Sequence, residues 1–275
     1  MSNDLSAIKK LVSDVRDTWD ESTASMTKNH TELRVALDHA YRPAWDLKLQ
    51  RVALVDLPAD KPMINGPLFT SGKHPWPAEE GLLAVPIVQL DLAILGALYG
   101  IDLGKGLVQL WHGEKRLTAR VIATEDLSPF AAAITPLMPG EAMAAYHFEL
   151  GAYGLPSFVS NPHRIIGYHG PYLFGPMEHD EALNQMIAAQ STSKVLQAQL
   201  KRLRKTVLSG RKQFAQNNRI FGSFDALHVA PEDLPPTLFS SIDENLLNTG
   251  DAGIITLHYS KLDEQIIFSG YLQSY

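Results

Sequence analysis

Apolar residues recur along this chain at two periods, one of three to four residues and one of two, and the two alternate. Residues 4–20 place Leu5, Ile8, Leu11, Val12, Val15 and Trp19 at three- and four-residue steps, with Lys9, Lys10, Asp14 and Asp17 between them. This predicts an amphipathic helix docked on the body of the protein. A second helical pattern through Leu33, Ala36, Leu37 and Ala40 ends near Pro43. Residues 47–57 then predict a first strand, stopped by Pro58 and a turn around Asp60.

The stretch from Gly66 to Trp111 organises the rest. Pro75 and Pro77 bracket Trp76, and because proline fixes φ and lacks a donor this piece is a rigid extended lead-in. Residues 81–90 are apolar enough for a buried strand, in which Pro86 demands either an edge position or a bulge. Asp91 caps a short helix over residues 92–99, and Gly100 ends it. Residues 106–113 and 116–124 alternate across a short connection and predict a hairpin. Further on, residues 141–150 read as a strand and 158–176, rich in glycine and proline, as a loop. Helical periodicity returns over 181–190 and 194–208, with Gly210 as stop signal. The chain closes on residues 253–260, a turn at 261–264, and a last strand.

Composition narrows the class. Hydrophobic residues at 45% and charged ones at 20% are those of an ordinary folded domain of 275 residues, neither disordered nor fibrous. No apolar run reaches the roughly 18 residues that span a bilayer, and residues 1–17 lack the layout of a secretory signal, so a cytoplasmic protein with no membrane association is expected. With no cysteine, disulfides, thiolate nucleophiles and Cys-ligated metal sites are excluded.

Charge is segregated. Residues 182–224 hold Lys194, Lys201, Arg202, Arg204, Lys205, Arg211, Lys212 and Arg219 and no acid, which leaves 16 basic against 30 acidic residues elsewhere, a formal −14. Leu196, Leu200, Leu203 and Val207 form an apolar stripe on this helix, with Lys201, Arg204 and Lys205 toward solvent and Arg211 beyond. Such a helix either docks on the acidic body or meets an acidic partner. A pI near 5.9 and the lack of interleaved aromatics disfavour nucleic acid.

The motifs taken in order resemble the YwqG-like family, a domain of unknown function found mainly in bacteria. They are Gly66, Trp76-Pro77, Gln89-Leu90-Asp91-Leu92, Gly106-Leu107-Val108-Gln109-Leu110-Trp111, the His163–Tyr168 segment, Gly250-Asp251-Ala252-Gly253 and Leu272-Gln273. The chain departs from the family pattern at Ile166, His169 and Thr249, and in the spacing of Gln109 and Trp111. The resemblance implies a single domain and supplies no reaction. Together with the periodicities it predicts an α+β fold: one domain with a mixed, largely antiparallel sheet flanked by helices, residues 1–45 as a helical segment packed on the body, 46–275 as the YwqG-like domain, and 181–217 as a helical elaboration.

Catalytic chemistry finds no motif. Gly104-Lys105-Gly106 precedes a strand rather than a helix, and the Gly66 to Lys73 spacing misses a P-loop by one residue, with His74 where Ser or Thr belongs. His163, His169 and His179 with Asp180 and Glu181 have metal-ligand residue types but neither HExxH nor paired-helix spacing. There is no Gly-x-Ser-x-Gly elbow, and the carboxylate pairs at 79–80, 180–181 and 232–233 sit in polar stretches. No cofactor or metal is implied. The expected function is therefore partner binding without catalysis, by another protein or by self-association, through Lys201, Arg204, Lys205 and Arg211; an immunity-type antitoxin is its concrete form, by analogy alone. The alternative is a small-molecule-binding protein or hydrolase with a pocket near Trp76, Gln89, His163, Tyr168 and Asp251.

Overall fold

The computed structural model describes residues 4–28, 31, 33–34, 37, 43–52, 60–64, 68–79, 82–113, 116–127, 162–173, 188–189, 193–213, 218–221, 237–241, 254–263 and 265–273. Among these, the helices with full bounds are α1 (Leu5–Thr27), α2 (Leu92–Tyr99) and α3 (Lys194–Gln213). The strands are β1 (Pro43–Arg51), β2 (Met63–Ile64), β3 (Ala78–Glu79), β4 (Leu82–Leu83), β5 (Val85–Asp91), β6 (Leu107–His112), β7 (Leu117–Ile122), β8 (His163–Leu173), β9 (Arg219–Phe221), β10 (Thr237–Ser241), β11 (Ile254–Leu262) and β12 (Gln265–Gln273). No helix among the described residues is long and apolar enough to cross a membrane.

Ten strands form one sheet in the order β12-β11-β10-β9-β1-β8-β2-β5-β6-β7, and β3 and β4 form a separate ribbon. Every described strand pair is antiparallel. The sheet curls until its two ends meet: Gly270 on β12 lies against Leu110 of β6 and Leu117 of β7. The expectation of a mixed sheet flanked by helices is thereby corrected. Strands make up 44% of the described residues, in a nearly closed antiparallel barrel-like sheet with three helices. The local patterns identified strands but carried no information on closure, which depends on pairs far apart in sequence such as β1 with β8.

Leu47, Ile64, Val88, Leu90, Val108, Leu110, Ile165, Ile220, Ile255 and Leu257 fill the barrel interior together with Ile8 of α1 and Leu92, Ile94, Leu95 and Leu98 of α2. Helix α2 forms where the sequence places it. Asp91 accepts a hydrogen bond from the Ile94 amide at 3.0 Å, and Gly100, at φ +76°, adopts the left-handed turn that ends the helix. A second apolar cluster joins Trp19 of α1, Leu33, Leu37 and the α3 stripe Leu196, Leu200 and Leu203.

Two further expectations change. Helix α3 runs through Gly210 to Gln213, since glycine raises the cost of a helix without forbidding it. Residues 163–173, read as loop, form the longest strand among the described residues. Its turn-like residues are accommodated locally: the register with β1 shifts around Gly170 and Pro171, while β2 pairs only with His163 and Arg164, so the missing Pro171 donor faces no ladder on that side. Pro86 sits at a register shift in β5, the bulge alternative of the two the sequence left open. Residues 141–150 and most of 181–190 lie outside the described residues.

Candidate functional site

The register sets Gln50, Arg164, Met63, Gln89, Gln109 and Arg120 in one row across five neighbouring strand pairs, on the outer face of the sheet. Two glutamines at the middle of apolar strands would each leave an amide without water, and both are fully buried. Residues 68–77 lie over them as a strap and satisfy them. The Phe69 amide donates to Gln89 Oε1 (2.9 Å), Gln89 Nε2 donates to the Lys61 carbonyl (2.8 Å), and Gln109 Nε2 donates to both the Phe69 carbonyl (2.8 Å) and Gln89 Oε1 (2.6 Å). Gln109 Oε1 in turn accepts from Trp111 Nε1 (3.1 Å) and Arg120 Nε (2.6 Å).

Arg120 extends the lock to the strap itself. Its Nη1 donates to the Pro75 carbonyl at 2.6 Å and its Nη2 to Phe69 at 3.3 Å, while the guanidinium lies 5.0 Å over the Trp111 ring. Burial pushes its pKa down to about 10, so it stays charged at neutral pH. Trp76 meets Trp111 edge-on at 5.0 Å and donates Nε1 to the Ala84 carbonyl at 2.8 Å. Beside it, Lys73 Nζ and His74 Nε2 hold the two Asp126 oxygens at 2.7 and 2.8 Å; the Lys73 hydrogen bond first, then His74, keeps this carboxyl below the usual range.

The residues expected to bind a ligand are thus dispersed. Trp76 and Gln89 belong to the strap lock, where their polar atoms are engaged by protein. Tyr168 lies in the main core beside Leu47, on the other side of the sheet from the Gln89 amide, and its hydroxyl meets no hydrogen-bond partner among the described residues. Burial first, and the Asp91 carboxylate second, raise its pKa above the ordinary tyrosine value. His163, half-buried, sits opposite Arg51 and Ile64; His169 is exposed opposite Asp46, six residues along the strand. Asp251 and the 179–181 part of the histidine cluster lie outside the described residues, among which no three His, Asp or Glu side chains converge to hold a metal.

The basic helix is placed more simply. Leu196, Leu200 and Leu203 are buried, whereas Lys194, Val195, Ala198, Lys201, Arg202 and Lys205 are exposed. Arg204 and Arg211 lie on the same helix.

In the sequence Gln109 stands out only as part of a motif, and Arg120, Phe69 and Asp126 belong to none. The available signal was polarity out of place: Gln89 and Gln109 interrupt buried apolar strands, and Arg120 falls on the period-two face that pairs with Gln109. The fold and site define a barrel-like antiparallel protein whose outer face is closed by a hydrogen-bonded strap and whose α3 carries an exposed cationic face. No family model matches the chain, and no curated protein matches its sequence.

Proposed function

We propose that this is a cytoplasmic protein that acts by binding another protein and catalyses no reaction of its own, with the outward face of α3 as the contact surface. One observation carries the reading: α3 satisfies its leucine stripe internally yet leaves Lys194, Lys201, Arg202 and Lys205 exposed, in a segment with no acid from residue 182 to 224. A face of this kind suits an acidic protein surface and steers its approach. An immunity-type antitoxin that covers a toxin's active surface is the narrower form of the proposal, and the ordered motifs support YwqG-like membership as part of it. The ligand-pocket alternative has less to stand on, since Trp76 and Gln89 are committed to the strap.

The test is capture from host lysate with the wild-type protein and with Lys201→Glu/Lys205→Glu, at low and high salt. The expected result is a specific protein retained at low salt by the wild type, and lost both at high salt and by the variant. Equal capture by the variant overturns the α3 face as the contact.

A further inference from the structure

Helix α1 carries a stripe that mirrors the one on α3. Its buried side is set by Ile8, Trp19 and Thr23, and the opposite side exposes Lys10, Asp14, Asp17 and Glu21 at steps of four, three and four residues. On α3, Lys194, Ala198, Lys201 and Lys205 follow the same steps and are exposed. At about 1.5 Å per residue each stripe is about 16 Å long. One is acidic over most of its length and the other basic. Lys10 and Arg16 hold Asp14 and Asp20 as neighbours along α1, while Asp17 and Glu21 have no ion pair among the described residues.

Both helices dock through the same apolar cluster, Trp19 from α1 and Leu196, Leu200 and Leu203 from α3. Each charged stripe lies opposite its own helix's buried side, so both point away from that cluster and cannot meet within one chain. They can meet between chains. We propose that the occupant of the α3 face is the α1 stripe of a second copy of this chain, each copy offering one acidic and one basic helix; this rests on the reading of α3 as a contact surface. Ala198 within the α3 stripe, and Val195, 72% exposed beside its Lys194 end, add apolar surface next to the charges. Exposed ion pairs are individually weak and screened, which makes the pair reversible and salt-sensitive.

The experiment is sedimentation equilibrium of the full chain from roughly 30 mM to roughly 500 mM salt, with Lys201→Glu/Lys205→Glu and Asp17→Lys/Glu21→Lys. Thermal melts of each variant check that these exposed substitutions leave the fold intact. The wild type should self-associate at low salt, with a Kd at least about tenfold weaker at high salt. Each variant alone should be monomeric, because both of its stripes then carry one sign. The two variants mixed should associate with each other, since the acidic stripes of one face the basic stripes of the other. Folded variants that fail to pair when mixed overturn the proposal, as does self-association that persists in both. A wild type that is monomeric at every salt, yet captures an acidic protein that Lys201→Glu/Lys205→Glu loses, overturns the second copy while the partner-binding function stands. Loss of neither association nor capture in that variant overturns both.

Discussion

Tyr168 shows how a residue's chemistry is decided by what reaches it. Its hydroxyl lies in the main core with no partner among the described residues, and its raised pKa keeps it a neutral phenol. An unpaired buried hydroxyl contributes no net stability, so Tyr168→Phe is expected to stabilise the protein by up to about 1 kcal/mol. Urea unfolding would show a higher midpoint with unchanged slope; a loss of about 1 kcal/mol or more would mean that the hydroxyl has an acceptor. His112 gives a prediction in pH. Burial lowers its pKa from 6.5, so below that value the unfolded chain binds a proton that the folded chain refuses. Stability therefore falls as pH drops through about 6.5, and the fall levels off once the folded form also protonates. Unfolding at pH 7.5 and pH 5 should differ less for His112→Gln than for the wild type. Single-residue features were legible in the sequence where both partners are near neighbours, as with Asp91 and Ile94. The side-chain partner of Gln89 on the neighbouring strand is Gln109, twenty residues away, and only strand register reveals it.

The strap is the element in which buried polarity and rigidity meet. Trp-Pro chemistry was readable as an extended lead-in, but what the lead-in covers was not, because its anchors come from β5, β6 and β7. Arg120 uses three nitrogens in three directions, a geometry that an ammonium cannot reproduce. Arg120→Lys is expected to cost about 2–3 kcal/mol, since the Pro75 carbonyl and a Gln109 lone pair lose a charged donor. Proteolysis inside residues 68–77 should accelerate in the variant; unchanged cleavage and stability would show that the strap is held by Trp76 packing alone. Strand β8 marks the opposite limit of sequence reading. Its glycines and proline are turn signals by composition, and only pairing with β1 overrides them.

At the scale of the whole molecule the two ends of the nearly closed sheet come together at a position without a side chain. The hairpin of β6 and β7 and that of β11 and β12 were both legible from period-two patterns and short turns. Their meeting was not, because nothing local in either hairpin specifies the other. Gly270 permits it: a Cβ there would lie 2.8 Å from Leu117 Cβ and closer still to Leu110 Cδ1. The Leu117 atom is fixed to its backbone and cannot swing aside, and Leu110 is fully buried. Gly270→Ala should therefore force the sheet ends apart and cost about 1–3 kcal/mol. Gly72→Ala, with nothing within 4 Å of the added carbon, serves as the control and should stay within about 0.5 kcal/mol. The double variant Gly270→Ala/Leu110→Ala separates crowding from any general intolerance of β12. If closure is limited by space, removing the Leu110 side chain recovers part of the Gly270→Ala loss and the two effects fail to add. Strict additivity in urea unfolding would show that the ends of the sheet are not in contact through these residues.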